Sequence, residues 1–349
     1  MRFERRENRS PALVLVAPLT AVVVALAIAG VLIAIAGAPV LAAYKAILVG
    51  SLGSRLALTE MLTRATPLIF TGLAAAVAFR ARVWNIGGEG QFYAGAVAVA
   101  AVSAPLLGHL PGIAQIPLLL LAGALAGMVL LLVPLWLRLR YSVDEVVTTL
   151  LLNFVAVLVV SMLVDTVMKD PMAFGWPQSI PLDEDGMLPK LVSKSRLHLG
   201  LLIGVTLALV VHFVQSRTVF GIQSRAMGLN PGAALYAGIP ATRTMVIVAL
   251  ISGGLAGMAG AVEVMGLQGY VTTTLSPGYG YSGIVVAMLA NLHPIGVIVA
   301  AIFTAIMFVG ADAMGRSLGV PSYIADVTVA LSLISMLMAV FLTQYRIRK

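Results

Sequence analysis

Several stretches of this chain run for about 18 residues or more almost free of charge, the length an apolar helix needs to cross roughly 30 Å of hydrocarbon. They lie near 11–36, 62–80, 88–107, 115–137, 146–167, 197–215, 244–266, 294–313 and 322–343. No soluble core could bury so much apolar side chain. With 60% hydrophobic and 10% charged residues and a mean hydropathy of +1.03, the chain lacks the polar surface a water-soluble domain requires. The expected fold is an all-α integral membrane protein forming one transmembrane domain over 1–349.

A tenth apolar segment, Tyr279 to Leu289, is too short for a full crossing and reads as a half-helix or a re-entrant element buried in protein. Counting it gives about ten crossings with both termini on one face, and basic residues test that arrangement because they concentrate on the cytoplasmic side. Fourteen of the 22 lysines and arginines then face the cytoplasm: Arg2, Arg5, Arg6, Arg9, Arg80, Arg82, Arg138, Arg140, Arg217, Arg225, Arg243, Arg346, Arg348 and Lys349. The others are Lys45, Arg55, Arg64, Lys169, Lys190, Lys194, Arg196 and Arg316. Nine crossings would put the basic tail outside. The basic segment 1–10 precedes an apolar run too long for a signal peptide, so an uncleaved first span is expected. The loop 168–196, mixing acidic and basic residues with prolines, reads as extracytoplasmic and irregular.

The composition also excludes functions. There are no cysteines, and His109, His198, His212 and His293 are not at ligand spacing, so neither thiolate chemistry nor a metal site is expected. No Gly-Lys pair occurs, hence no phosphate-binding loop, and no G-x-S-x-G or H-E-x-x-H pattern is present. The chain therefore cannot hydrolyse ATP by the usual phosphate-loop means and is not expected to be an enzyme; if it is a primary transporter, its ATPase is another chain. The net charge of +8 fits a topology signal rather than nucleic-acid binding.

Two segments carry unusual chemistry. In RARVWNIGGEGQFYAG, Arg80 to Gly95, glycines permit a sharp turn before a helix. Asn85, Glu89 and Gln91 there can offer hydrogen bonds to a solute, or Glu89 can simply be a helix-start carboxylate held by backbone N–H groups. A second glycine-rich interruption, SPGYGYSG at Ser276 to Gly283, holds Tyr279 and Tyr281. Paired interruptions of this kind mark translocation pathways in transporters built of two related halves. In the segment 217–243, SRAMGLNPGAALYAGIPATR implies a short helix outside the membrane with an apolar face, which a partner protein or the lipid surface could cover. Asp165, Glu263, Asp312 and Asp326 fall near outer span ends, where they can reach water.

The chain resembles the permease subunits of bacterial ABC importers of the branched-chain amino acid, ribose and nucleoside group, in particular those for nucleosides and simple sugars. The resemblance runs from about Leu62 to Leu337 and rests on ATPLIFTGLAAAVAFRARVWNIGGEGQ, VDEVVTTLLLNF, RAMGLNPGAALYAGI, SGGLAGMAGAVEV and SPGYGYSGIVVAML. It implies a second permease subunit, paralogue or self, cytoplasmic ABC ATPases that bind ATP and Mg, and an extracytoplasmic solute-binding lipoprotein, all at the bacterial cytoplasmic membrane. It also implies that Arg225, Gly228, Leu229, Asn230, Ala233, Ala234, Tyr236, Gly238 and Ile239 form a coupling helix docked on the ATPase. The implied solute is a nucleoside, or alternatively a ribose- or galactose-type sugar, passing Asn85, Glu89, Gln91, Tyr279 and Tyr281. The competing expectation is a secondary transporter driven by an ion gradient through Glu89.

Overall fold

The computed structural model describes residues 37–319 without a break. Outside that range it describes residues 2–5, 27–28, 30–31, 33–35, 327, 330–331, 334–335, 338 and 345–348. The expected first and last spans, near 11–36 and 322–343, and Asp326 therefore lie mostly or wholly outside the described residues. Among the described residues, two strands, β1 (Arg2–Arg5) and β2 (Tyr345–Arg348), accompany eleven α-helices: α1 (Val40–Leu52), α2 (Arg55–Arg80), α3 (Gly88–Val102), α4 (Gly112–Tyr141), α5 (Glu145–Asp165), α6 (Gly200–Arg217), α7 (Val219–Leu229), α8 (Pro231–Tyr236), α9 (Ala241–Glu263), α10 (Tyr279–Leu289) and α11 (Pro294–Leu318).

Among the described residues the fold is all-α apart from that one short strand pair. Among the described residues, six helices are long and apolar enough to cross a membrane: α2, α4, α5, α6, α9 with its π-helical extension to Gln268, and α11. This is fewer than the ten crossings expected. Two of the expected spans fall outside the described residues. The stretch 88–107 divides into the fifteen-residue α3 and a π turn at Ser103–Leu107, and α10 has only eleven residues. Helix α1 was not expected; its thirteen residues lie between the first two expected spans.

The chain divides into two compact units, Met1–Arg64 with Ile302–Lys349, and Ala65–Ala301. In the first, β1 and β2 pair antiparallel with Arg2 opposite Arg348 and Arg5 opposite Tyr345. Arg64 Nη2 meets Asp312 Oδ2 at 3.0 Å, so the acidic group expected near a span end is ion-paired.

The second unit is organised around α3, α4 and α9. Lipid tails are as apolar as leucine, so helices in a bilayer gain by close approach more than by burying apolar surface. Here Gly123 and Gly127 of α4 face Gly253 and Gly257 of α9 so closely that a side chain on any of them would overlap the opposite helix. The loop 168–196 is less irregular than its sequence suggests, because backbone bonds pin it to the segment after α9. Ser179 N donates to Val271 O at 2.9 Å, Leu182 N to Gly269 O at 2.7 Å and Leu188 N to Met265 O at 2.8 Å.

Candidate functional site

The two glycine-rich interruptions meet inside the second unit. Gly87 and Gly278 precede α3 and α10, and Gly278 adopts φ +89°, a conformation that suits glycine. Ser276 Oγ then accepts from the N–H groups of Gly278 and Tyr279 at 3.1 and 2.8 Å, capping the start of α10. Gly280 N donates to Glu89 Oε2 at 2.7 Å, and a side chain at Gly280 would overlap the Glu89 backbone. The start of one broken helix is thus fastened to the start of the other. Tyr93 Oη reinforces the junction, donating to Thr273 O at 2.7 Å and accepting from Ser276 N at 3.2 Å.

Of the residues expected along a solute path, four are buried and engaged inside the protein. Asn85 and Gln91 exchange two amide hydrogen bonds of 2.9 and 2.8 Å, and Asn85 Nδ2 also donates to Ser252 Oγ at 3.0 Å. Ser252 Oγ donates in turn to Ala74 O at 2.8 Å, which ties the clasp to α2. Glu89 and Tyr279 are buried, the latter with its ring 5.9 Å from that of Phe92. Tyr281 differs: it is 39% exposed.

The backbone of the first interruption is held by a row of polar side chains on α5. Asp144 caps this helix by accepting from Val146 N at 2.7 Å, and Glu145, Thr149 and Asn153 follow four residues apart on one buried face. Glu145 Oε1 accepts from Trp84 N at 2.8 Å, Thr149 Oγ1 from Ile86 N at 3.3 Å and Asn153 Oδ1 from Gly90 N at 2.8 Å. Asn153 Nδ2 donates to Ile86 O at 2.9 Å and to Tyr281 Oη at 3.2 Å, so one amide touches both interruptions. Non-helical backbone buried in protein needs such partners, since an unpaired buried N–H group is costly. At the other end of the row, Glu145 Oε2 is ion-paired to Arg138, whose Nη1 also donates to Arg82 O at 3.3 Å. A cleft of ≈ 530 Å³ lined by Trp84, Arg138 and residues 142–146 opens there.

The segment 217–243 folds as α7 and α8. Thr218 caps α7, Asn230 caps α8 by accepting from Ala233 N at 3.1 Å, and Pro231 occupies the first turn, where its missing N–H has no helical role. Gly238 at φ +78° ends the turn. Gly228 lies against the carbonyl of Arg80, where a side chain would not fit, so α7 rests on the end of α2. Arg225, Leu229, Asn230, Ala233, Tyr236 and Gly238 are exposed, and Gly228 and Ile239 are half-buried. Ala234 is buried, its small side chain packed inward. Leu235, absent from the expected docking set, is exposed beside Tyr236, which is 96% exposed.

Residues 57–341 match the family described as branched-chain amino acid transport system / permease component. The chain belongs to this family. It is 33% identical to the glucose ABC transporter permease protein TsgB13 of Haloferax volcanii, over 99% of this chain and 93% of that protein. It is 32% identical to the guanosine ABC transporter permease protein NupP of Bacillus subtilis, over 91% of each chain. The nucleoside ABC transporter permease protein NupB of Lactococcus lactis is 30% identical, over 82% of this chain and 80% of that one. The solved structure of PsaBC from Streptococcus pneumoniae in complex with Fab superposes with a TM-score of 0.50 at 13% identity, covering 84% of this chain and 94% of that chain, a likeness of fold alone.

This permease is accordingly the multi-pass membrane subunit of an ABC importer, a transport component and not a catalytic one, working in a system that includes an ATPase. The ion-gradient alternative is not favoured. Residues that sequence reasoning passed over are the α5 row, although Glu145, Thr149 and Asn153 stand at a helical spacing in an otherwise apolar span. That spacing was the available signal.

Proposed function

We propose that this permease subunit moves a nucleoside or a related sugar-like solute into the cytoplasm, powered by a cytoplasmic ABC ATPase that docks on α7 and α8. The observation that carries the reading is α8: a short capped helix that exposes Leu235 and Tyr236 side by side while Ala234 anchors it inward. An apolar pair on a water-facing turn needs a protein groove to cover it, and no acidic residue stands between Arg217 and Arg243 to compete for it. The relatives named for glucose and guanosine favour a neutral solute rich in hydroxyls. The pairing of β1 with β2 draws the chain ends together, in keeping with both termini in the cytoplasm of a bacterium and an even number of crossings. A second permease subunit and an extracytoplasmic binding lipoprotein complete the assembly, and the solute path is assigned to the junction of α3 and α10. The test is uptake into proteoliposomes holding the assembled transporter. Uptake of guanosine or glucose should require ATP and loaded binding protein and should be insensitive to an uncoupler. Uptake that proceeds without ATP and collapses with the proton gradient would overturn the reading.

A further inference from the structure

Asn153 is buried in the middle of α5 and has no role in the family resemblance beyond its place in VDEVVTTLLLNF. Its orientation is fixed by its partners. The atom facing Gly90 N must be the carbonyl oxygen, because a backbone N–H can only donate, and this places the amide nitrogen against Ile86 O and Tyr281 Oη. Both amide hydrogens are then used, one on each oxygen. Toward Tyr281 the amide is therefore the donor and the phenol oxygen the acceptor. The phenol keeps its own hydrogen.

We propose that Asn153 is a positioning residue for transport: it holds Tyr281 so that the phenolic O–H is left free to donate to an acceptor on the passing solute. Tyr281 suits this task because it is the accessible member of the expected path, whereas Asn85, Glu89, Gln91 and Tyr279 are buried. Asn153 binds the backbone on both sides of the first interruption and the phenol of the second, so the donor's position is tied to the junction itself. The solutes that fit are those with hydroxyl, carbonyl or ring-nitrogen acceptors and no net charge.

The inference rests on the proposed path at the junction of α3 and α10, and the experiment separates the two. The complete transporter with its ATPase and binding protein is reconstituted, and guanosine and glucose uptake are measured beside ATP hydrolysis. Tyr281→Phe removes one hydrogen and one oxygen and should lower the solute moved per ATP by about three- to tenfold, the worth of one hydrogen bond, with ATP hydrolysis little changed. Asn153→Ala should lower the same ratio, and Tyr281→Phe added to it should cause no further loss, because the unpositioned phenol no longer contributes. Where Asn153→Ala does not accumulate in the membrane, Asn153→Ser, which keeps one donor and one acceptor, takes its place. A normal ratio in Tyr281→Phe overturns the donor role. Losses that multiply in the double variant overturn the positioning role of Asn153 and leave Tyr281 on the path. If neither solute is taken up by the unaltered transporter, the functional reading fails and this inference fails with it.

Discussion

Glu89 and Gly280, 191 residues apart in sequence, are joined by a 2.7 Å hydrogen bond from the backbone N–H of Gly280 to the Glu89 carboxyl group. The bond needs an acceptor at Glu89, not an ionisable group. Glu89→Gln keeps an oxygen in place and should retain uptake within about threefold, whereas Glu89→Ala leaves Gly280 N unpaired and should cost about 1–3 kcal/mol of stability. Thermal unfolding of the purified subunit, read beside uptake, distinguishes the two. Abolition of uptake by Glu89→Gln with stability intact would instead point to an ion-coupling role.

The ion pair of Arg138 with Glu145 gives a second prediction. Glu145 is nearly buried and also accepts from Trp84 N, while Arg138 is about one-third exposed. Removing the arginine strands a buried carboxylate, so Arg138→Ala should destabilise by about 1–3 kcal/mol, less than for a fully buried pair because water still reaches the arginine site. Arg138→Ala combined with Glu145→Gln should recover part of that loss, since Gln can still accept from Trp84 N. Equal melting temperatures for Arg138→Ala and the unaltered protein would show the pair to be without consequence.

The apolar runs made most of the helices legible, because a bilayer leaves the backbone few alternatives. The boundaries of α4, α5 and α11 differ from expectation by a few residues, where charged or capping groups such as Arg138, Arg140 and Asp144 extend or start a helix beyond its apolar stretch. Helix α1 was hidden because Lys45 and the glycines near it break the apolar run. The glycines of both interruptions marked the junction, but their mutual contact was not readable. A bond such as that of Glu89 with Gly280 depends on how distant segments pack. The same holds for the docking face: composition located α8, yet only the three-dimensional arrangement turns Ala234 inward and Leu235 and Tyr236 outward.

That orientation decides which substitution tests the proposed docking of the ATPase. Tyr236→Glu places a charge on a 96% exposed side chain and should leave membrane insertion and melting unchanged while weakening ATPase association at least tenfold. Ala234→Glu buries a charge against the protein and should instead lower the yield of folded subunit. Co-purification of the ATPase with each variant, normalised to the permease recovered, is the measurement. Full retention of the ATPase by Tyr236→Glu would sink the docking assignment.

His198 supplies the pH-dependent prediction. It lies just before α6, fully buried, with Nδ1 accepting from Gly200 N at 3.2 Å and with Gly266 packed against its ring. Burial holds the imidazole neutral and lowers its pKa from 6.5 to about 4. An unfolded chain takes up this proton near its ordinary pKa while the folded protein does not, so the unfolded state binds more protons between the two values. Stability should therefore be level above about pH 6.5 and fall as the pH drops toward 4, by roughly 3 kcal/mol in all from this one group. His198→Gln retains an acceptor for Gly200 N but cannot take up the proton, so its thermal midpoint should fall less over that range. The difference between the two unfolding curves from pH 7.5 to 4.5, taken in buffered detergent, isolates the contribution of His198 from that of the carboxylates. Parallel curves would show that the ring titrates with its ordinary affinity and is not held in the buried neutral form.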